Sequence, residues 1–205
     1  MSARRPGTLE PQRGAALLVA LCVMLVLLML GVSAARNALH AEKSARSERD
    51  RQIALQGAEA ALADAERDIE GGHAPASKRA ALFGQGSVAG FVDGCGAGAD
   101  NLGLCRRAAG AVPAWQHVAL AESGGRSIEF GHFTGARMPS GRGTQPARPP
   151  RYVIELLPFA RAGEDAAQRR GNFYRITAIG FGTTDATRVV LQSYYLKAAP
   201  AGEAP

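Results

Sequence analysis

"QRGAALLVALCVMLVLLMLG", Gln12–Gly31, decides how the rest of the chain folds. From Ala15 to Ala35 it opens a run of 21 residues without a charge, in which Ser33 carries the only hydroxyl. As a helix rising about 1.5 Å per residue, the run would measure about 31 Å, one hydrocarbon thickness. A secretory signal has a shorter apolar region, about 7–15 residues, closed by a small-x-small cleavage site. Gly31-Val32-Ser33-Ala34 mimics such a site, so removal of the run competes with its retention.

The downstream sequence favours retention. No proline interrupts the chain between Pro11 and Pro75, and Leu55, Ala58, Leu62, Ala65 and Ile69 recur at alternating spacings of three and four. That spacing lays one apolar stripe along a charged helix, and Gly71-Gly72 supplies the stop. Residues 15–70 therefore predict one continuous helix, much longer than the usual globular helix of about 10–14 residues. Its first half suits lipid, its middle (Glu42 to Arg51) suits water, and its last third carries a face for packing on a domain. Arg4, Arg5 and Arg13 precede the apolar run while Arg36, Lys43, Arg46 and Arg49 follow it, so flanking charge does not set the orientation.

The remaining composition is that of a loop-rich domain, with 25 Gly and 11 Pro in 205 residues. Net charge is +6, but residues 15–205 alone hold 21 basic and 17 acidic side chains, a net of +4. So small an excess does not argue for nucleic acid. Cys22 lies in the apolar run, where a thiol behaves as a small hydrophobe. Cys95 and Cys105 bracket the flexible "GAGADNLGL". In an oxidising compartment they read as a short-range disulfide, worth about 2–3 kcal/mol in loop entropy. A zinc site would need two further ligands, and the four His are scattered. A disulfide places the C-terminal part outside, giving N-in, C-out.

Four segments carry strand signals: Arg126–Phe133, Arg151–Phe159, Asn172–Phe181 and Thr187–Leu196. The last two flank "GTTDA", a natural hairpin connection. Tyr174, Ile176 and Ala178 alternate with Arg175, Thr177 and Ile179, which predicts a sheet with one face on the helix and the other half covered. The expected fold class is α+β, a long N-terminal helix packed on an antiparallel sheet, with sequential neighbours the simplest order. Nothing points to catalysis: no G-x-S-x-G is present, Glu164-Asp165 reads as a solvated loop, and His117 and His132 stand alone beside strand-like segments. No enzyme activity, cofactor or metal is expected. From Phe130 to Ile154 no acidic residue occurs, while Arg137, Arg142, Arg148 and Arg151 recur among Gly and Pro. This is a candidate partner-contact loop for an acidic surface, DNA or another subunit. Only Phe133 and Tyr152 are at hand to stack on bases, which disfavours nucleic acid, and a solvated variable loop is the competing reading.

A basic leader ending in Arg13-Gly14, then an apolar helix running into an amphipathic one, is the layout of type IV prepilins. "RGAALLVALCVMLVLLMLGVSAAR", "RDRQIALQGAEAALADAE" (Arg49–Glu66), "GLC" (Gly103–Cys105) and "YRITAIGFGTTDATRVVLQSYY" (Tyr174–Tyr195) resemble the PilX-type minor pilins. The resemblance covers both ends and the cysteine loop, but not about 73–150. It implies cleavage after Gly14 by prepilin peptidase and N-methylation of Ala15. It implies residues 1–14 as a cytoplasmic leader, 15–35 as the transmembrane and assembly helix, 36–72 as its amphipathic continuation and 73–205 as a periplasmic pilin-like domain. Partners would be other minor and major pilins, the peptidase and the inner membrane, with an extracellular surface ligand a further candidate. Major pilins carry a glutamate five residues after the cut, and Val19 stands there. Its absence is shared with PilX-like and GspK-like proteins and suits a subunit at the filament tip or in a priming complex. A pseudopilin of type II secretion, a tip adhesin or DNA receptor, and an uncleaved bitopic binding protein remain the alternatives.

Overall fold

The computed structural model describes residues 13–72, 77–84, 87–106, 112–141, 143–157 and 171–198. The chain divides into two units, Met1–Ser47 and Glu48–Pro205. Helix α1 runs from Arg13 to Ile69, 57 residues. Strong helix formers and the lack of proline sustain it, and Glu42–Arg46 and Glu48–Gln52 pairs at i,i+4 support its polar middle. It ends in a paired glycine cap. Gly72 N–H donates to the Arg67 carbonyl at 2.8 Å and Gly71 N–H to that of Asp68 at 3.1 Å. Gly71 has φ 107°, a conformation that side chains with a Cβ rarely adopt. The helix stops where the glycine pair in the sequence predicts.

In the first unit every described side chain from Ala15 on is exposed. In the second, α1 packs on a sheet. The elements after it are α2 (Lys78–Leu82), β1 (Val92–Asp93), β2 (Leu104–Arg106), a 3-10 turn at Ala114–Gln116, β3 (Ile128–Glu129), β4 (Arg151–Leu157), β5 (Gly171–Phe181) and β6 (Arg188–Ala198). Strand order is β1-β2-β4-β5-β6, with β3 also on β4. The antiparallel expectation holds for β3, β4, β5 and β6, and β5 and β6 pair along their full length from Gly171↔Ala198 to Phe181↔Arg188. The sequential order does not hold at the other edge. There β2 pairs parallel with both β1 and β4, Leu104 lying opposite Ile154. The long excursion from Arg106 to Arg151 lets the chain return in the same direction, which a tight turn cannot do.

The strand expected over Arg126–Phe133 shrinks to Ile128–Glu129. Gly131, at φ 79°, turns the chain away, and a Cβ there would meet the Ala136 carbonyl oxygen at 1.8 Å. The segment Pro158–Phe159 of the next predicted strand lies outside the described residues.

Two apolar layers sandwich the sheet. On one face Tyr152, Ile154, Tyr174, Ile176 and Ala178 pack with Ala61, Ala65 and Ile69 of α1, and with Phe83, Phe91, Leu104 and Ile128. On the other, Val153, Ile179 and Phe181 pack under Ala114 and Leu120 beside Cys95 and Cys105. The rest of that second face stays open along β6, where Val190, Tyr194 and Leu196 are exposed. The alternation read in β5 is therefore the alternation of the two layers.

Candidate functional site

The face of α1 that docks on the sheet is made mostly of small residues. Ala54, Gly57, Ala58, Ala61, Ala65 and Ile69 are buried, while Leu55 and Leu62 are only half-buried. The larger side chains of the predicted stripe thus lie at its margin. Small residues let the helix backbone come close to β5. At Gly180 a Cβ would stand 2.0 Å from the Ala54 carbonyl oxygen and 2.4 Å from the Ala58 nitrogen. No side chain fits between helix and strand there.

Acidic residues of α1 then fix its position. Asp50 accepts hydrogen bonds from the Thr183 amide and hydroxyl in the β5–β6 turn. The side-chain bond from Thr183, then that from Thr187, holds its carboxyl below the ordinary range despite some desolvation. Asp64 accepts from Gly131 N–H at 2.7 Å and from the Thr134 hydroxyl. Asp68 pairs with Arg79 of α2, Nη2 to Oδ2 at 2.6 Å and Nε to Oδ1 at 3.1 Å. Tyr152 reaches the same carboxylate at 3.4 Å, and burial followed by the negative charges of Asp68 and Asp64 pushes its phenol well above the ordinary value. At the helix end Tyr195 donates to Glu70 at 2.8 Å and Lys197 donates to the Ile69 carbonyl. Desolvation first, then the bond to Glu70, pushes Tyr195 up to about 12. Asp64 and Asp68, at i,i+4 within an alanine stripe, were the sequence signal for this docking, and reading the helix only for apolar residues misses it.

A second buried pair lies on the opposite face of the sheet. Arg175 Nε donates to Glu155 Oε2 at 3.1 Å, and the other carboxylate oxygen accepts the Ala114 amide at 3.3 Å. The carboxylate thereby anchors the segment that covers this face. Cys95 and Cys105 are joined by a disulfide and both are buried. Among the described residues no group of three or more His, Cys, Asp or Glu could hold a metal ion.

The described arginines of the basic stretch do not share one exposed surface. Arg151 is 6% exposed. Its Nε and Nη2 donate to the hydroxyl and carbonyl of Ser127 at 2.8 and 2.7 Å, and its Nη1 to Glu129 at 2.9 Å. Burial lowers its pKa from the ordinary arginine value, and Glu129 opposes that shift. Arg148 donates to the Ala121 carbonyl, lies 2.8 Å from Asp185 and covers the Phe181 ring at 4.0 Å. Both guanidinium groups are engaged inside the domain. Arg137 is exposed, and Arg142 lies outside the described residues.

At the other end of α1, Gly14 and Ala15 lie within the first turns of the helix. Val19 is 61% exposed, among Leu17, Leu18, Leu21 and Val23, which are exposed likewise. Free Cys22 belongs to the same exposed surface. This part of α1 is long and apolar enough to cross a membrane, and none of its most apolar window is buried. Large apolar side chains in water would be unfavourable, so the surface requires lipid or other helices as its surroundings.

Two family models match this chain. One described as "PilX N-terminal" covers residues 13–63, and one described as "Type IV pilus assembly protein PilX C-term" covers residues 101–197. No curated protein and no solved structure matches. The first match spans the exposed apolar helix and most of the docked face; the second spans the disulfide's Cys105 and all of β2 to β5 with most of β6. Together they take in both ends of the architecture just described, and the chain belongs to the PilX family of type IV pilus proteins.

Proposed function

We propose that the chain is a minor pilin of the priming or tip complex of a type IV pilus, with a structural rather than catalytic role. The observation that carries the proposal is the uncharged surface of α1 from Ala15 to Ala35, exposed at every residue, with Val19 where a major pilin has glutamate. In this scheme prepilin peptidase cuts after Gly14 on the cytoplasmic side and Ala15 becomes the N-methylated first residue. The helix holds the protein in the inner membrane with residues 73–205 in the periplasm. It then leaves the bilayer for a bundle of pilin helices. Lipid tails and leucine side chains are equally apolar, so the exchange changes little of the roughly 25 cal/mol per Å² gained on leaving water. Extraction is thus feasible for an external motor, and the pilin needs no nucleotide site.

Val19 gives the helix its place in the assembly. A carboxylate at membrane depth costs on the order of 3 kcal/mol and persists when it is paired. A subunit at the filament end has no neighbour above it to supply a pairing ammonium, so valine removes a cost without losing a partner. Other minor and major pilins are the partners, and a surface ligand at the tip is a further one.

The test is the intact mass of the protein extracted from membranes. A chain beginning at methylated Ala15 is expected. One beginning at Met1 or Ser2 overturns the processing and, with it, assembly through a cut helix. Gold labelling of sheared filaments then distinguishes ends from shafts, and label spread along the shafts overturns the tip position.

A further inference from the structure

Arg79 stands where three parts of the second unit meet. Its Nε and Nη2 donate to Asp68 of α1 at 3.1 and 2.6 Å. Its Nη1 donates to the carbonyls of Asp100 and Leu102 at 3.0 and 2.9 Å. The guanidinium lies 4.0 Å from the Phe133 ring centre and 5.1 Å from that of Phe83. Both carbonyls belong to the segment closed by the Cys95–Cys105 disulfide.

We infer that this disulfide is a maturation latch for α1: closing it fixes the two carbonyls that hold Arg79, and Arg79 holds Asp68. The segment between the cysteines, "GAGADNLGL", contains Gly96, Gly98 and Gly103. Gly98 N–H donates to Asn101 Oδ1 at 2.9 Å and Gly103 N–H to the Gly96 carbonyl at 3.1 Å. Glycine gives the open chain many conformations that compete with these few bonds, and the covalent closure tips the balance towards the one that presents Asp100 and Leu102 to Arg79. Arg79 is 5% exposed, and water cannot readily replace the lost acceptors. With two acceptors lost the buried guanidinium is under-satisfied, and its pair with Asp68 is held less firmly in position.

The effect is local. Asp50 and Asp64 bind Thr183, Gly131 and Thr134, none of which lies in the disulfide segment. The latch therefore acts on Ala65–Ile69 and not on Ala54–Ala58. Closure requires an oxidant of the disulfide-exchange class. One cysteine thiolate attacks the oxidant's disulfide, breaking its S–S bond and forming a mixed disulfide. The second attacks the cysteine sulfur of that bond and displaces the oxidant's other thiolate, so that the oxidant leaves as a dithiol carrying the two electrons and two protons. Cys95 and Cys105 are 2% and 0% exposed, so the exchange precedes closure of the core and is not reversed on the folded surface.

Hydrogen exchange on the full chain in detergent micelles tests the latch. In Cys95→Ser/Cys105→Ser, amides of residues 65–69 should exchange at least about tenfold faster, with those of residues 54–58 and of β5 and β6 unchanged. Arg79→Met should do the same with the disulfide intact. Adding the two serines to Arg79→Met should then change residues 65–69 no further. Unchanged exchange at 65–69 in the serine variant overturns the inference. Lost protection in β5 and β6, or failure to fold, in either variant also overturns it, since the disulfide or Arg79 would then support the whole domain. Further acceleration on combining the substitutions shows coupling that bypasses Arg79, and overturns it as well.

Discussion

Replacing Gly180 by alanine should break the docking of α1, while the same change at the facing Gly57 should not. At Gly180 the new methyl would lie 2.0 Å from the Ala54 carbonyl oxygen, 2.4 Å from the Ala58 nitrogen and 3.0 Å from the Gly57 carbonyl carbon. All three are backbone atoms of the helix, so no side chain can rotate away. Relief requires the helix to retreat by about 1 Å, which opens gaps along the tightly packed alanine face. Overpacking costs typically about 1–3 kcal/mol, and a clash with backbone alone belongs at about 3 kcal/mol. For a chain of this size that is a fall in melting midpoint of about 6–12 °C. At Gly57 the new methyl would meet only ordinary contacts, the nearest being the Gly180 Cα at 3.6 Å. Alanine there also raises helix propensity, so the change should be neutral or stabilise by up to about 1 kcal/mol. Near-ultraviolet circular dichroism of the full chain in micelles is the assay, because it follows the packing of Trp115 and the tyrosines rather than helix content. If Gly180→Ala melts with the wild type, or Gly57→Ala falls as far as Gly180→Ala, the close approach does not hold the helix.

Three other outcomes follow from particular groups. Because threonine hydrogen bonds hold the Asp50 carboxyl below its ordinary value, the folded state binds its proton less readily than the unfolded chain. That contribution to stability is complete above about pH 4 and lost as pH falls below it, and Asp50→Asn should remove this part of the acid dependence in denaturant titrations. Tyr174, raised mainly by burial with Asn172 opposing, and Tyr195 both lie at about 12. Their stabilisation is present below about pH 10 and lost as pH rises towards 12, so phenolate absorbance and unfolding should appear together in that window. Val19→Glu should increase the number of copies along sheared pilus shafts if the missing carboxylate confines the protein to the end; an unchanged distribution on immunoblots and gold labelling counts against that role.

Much of the architecture could be read from the sequence because its signals are local. The helix from Arg13 to Ile69 follows from absent prolines and a glycine stop, and the β5–β6 hairpin from two β-rich segments around "GTTDA". What could not be read depends on contacts distant in sequence. The parallel pairing of Leu104 with Ile154 spans fifty positions and leaves no periodic trace in either segment. Arg148 and Arg151 look like members of an exposed basic stretch because no acidic residue occurs between Phe130 and Ile154. Their partners, Asp185 and Glu129, come from other turns of the chain. Arg79 has no signal at all in its own neighbourhood, since its site exists only once α1, α2 and the disulfide segment have met.

The composition of α1 changes along its length for one physical reason. Between Leu17 and Val32 its surface is leucine, valine and methionine, all exposed. Such side chains suit surroundings that adapt to them, such as lipid or other helices, where bulk adds contact area without demanding a fixed counterpart. From Ala54 to Ala65 the buried apolar face is alanine and glycine, with Asp64 buried beside it, because the counterpart is a strand backbone already in place and Gly180 leaves no room for more. So small a face buries little apolar area per residue, and hydrophobic burial alone would hold it weakly. Asp50, Asp64 and Asp68 supply directional bonds to the β5–β6 turn, the Gly131 turn and Arg79. A helix held by close approach and carboxylates has one allowed register on its sheet. One held by leucines alone could slide or rotate. If α1 joins a bundle of pilin helices as proposed, a docking that fixes register is worth more than one that only adds stability.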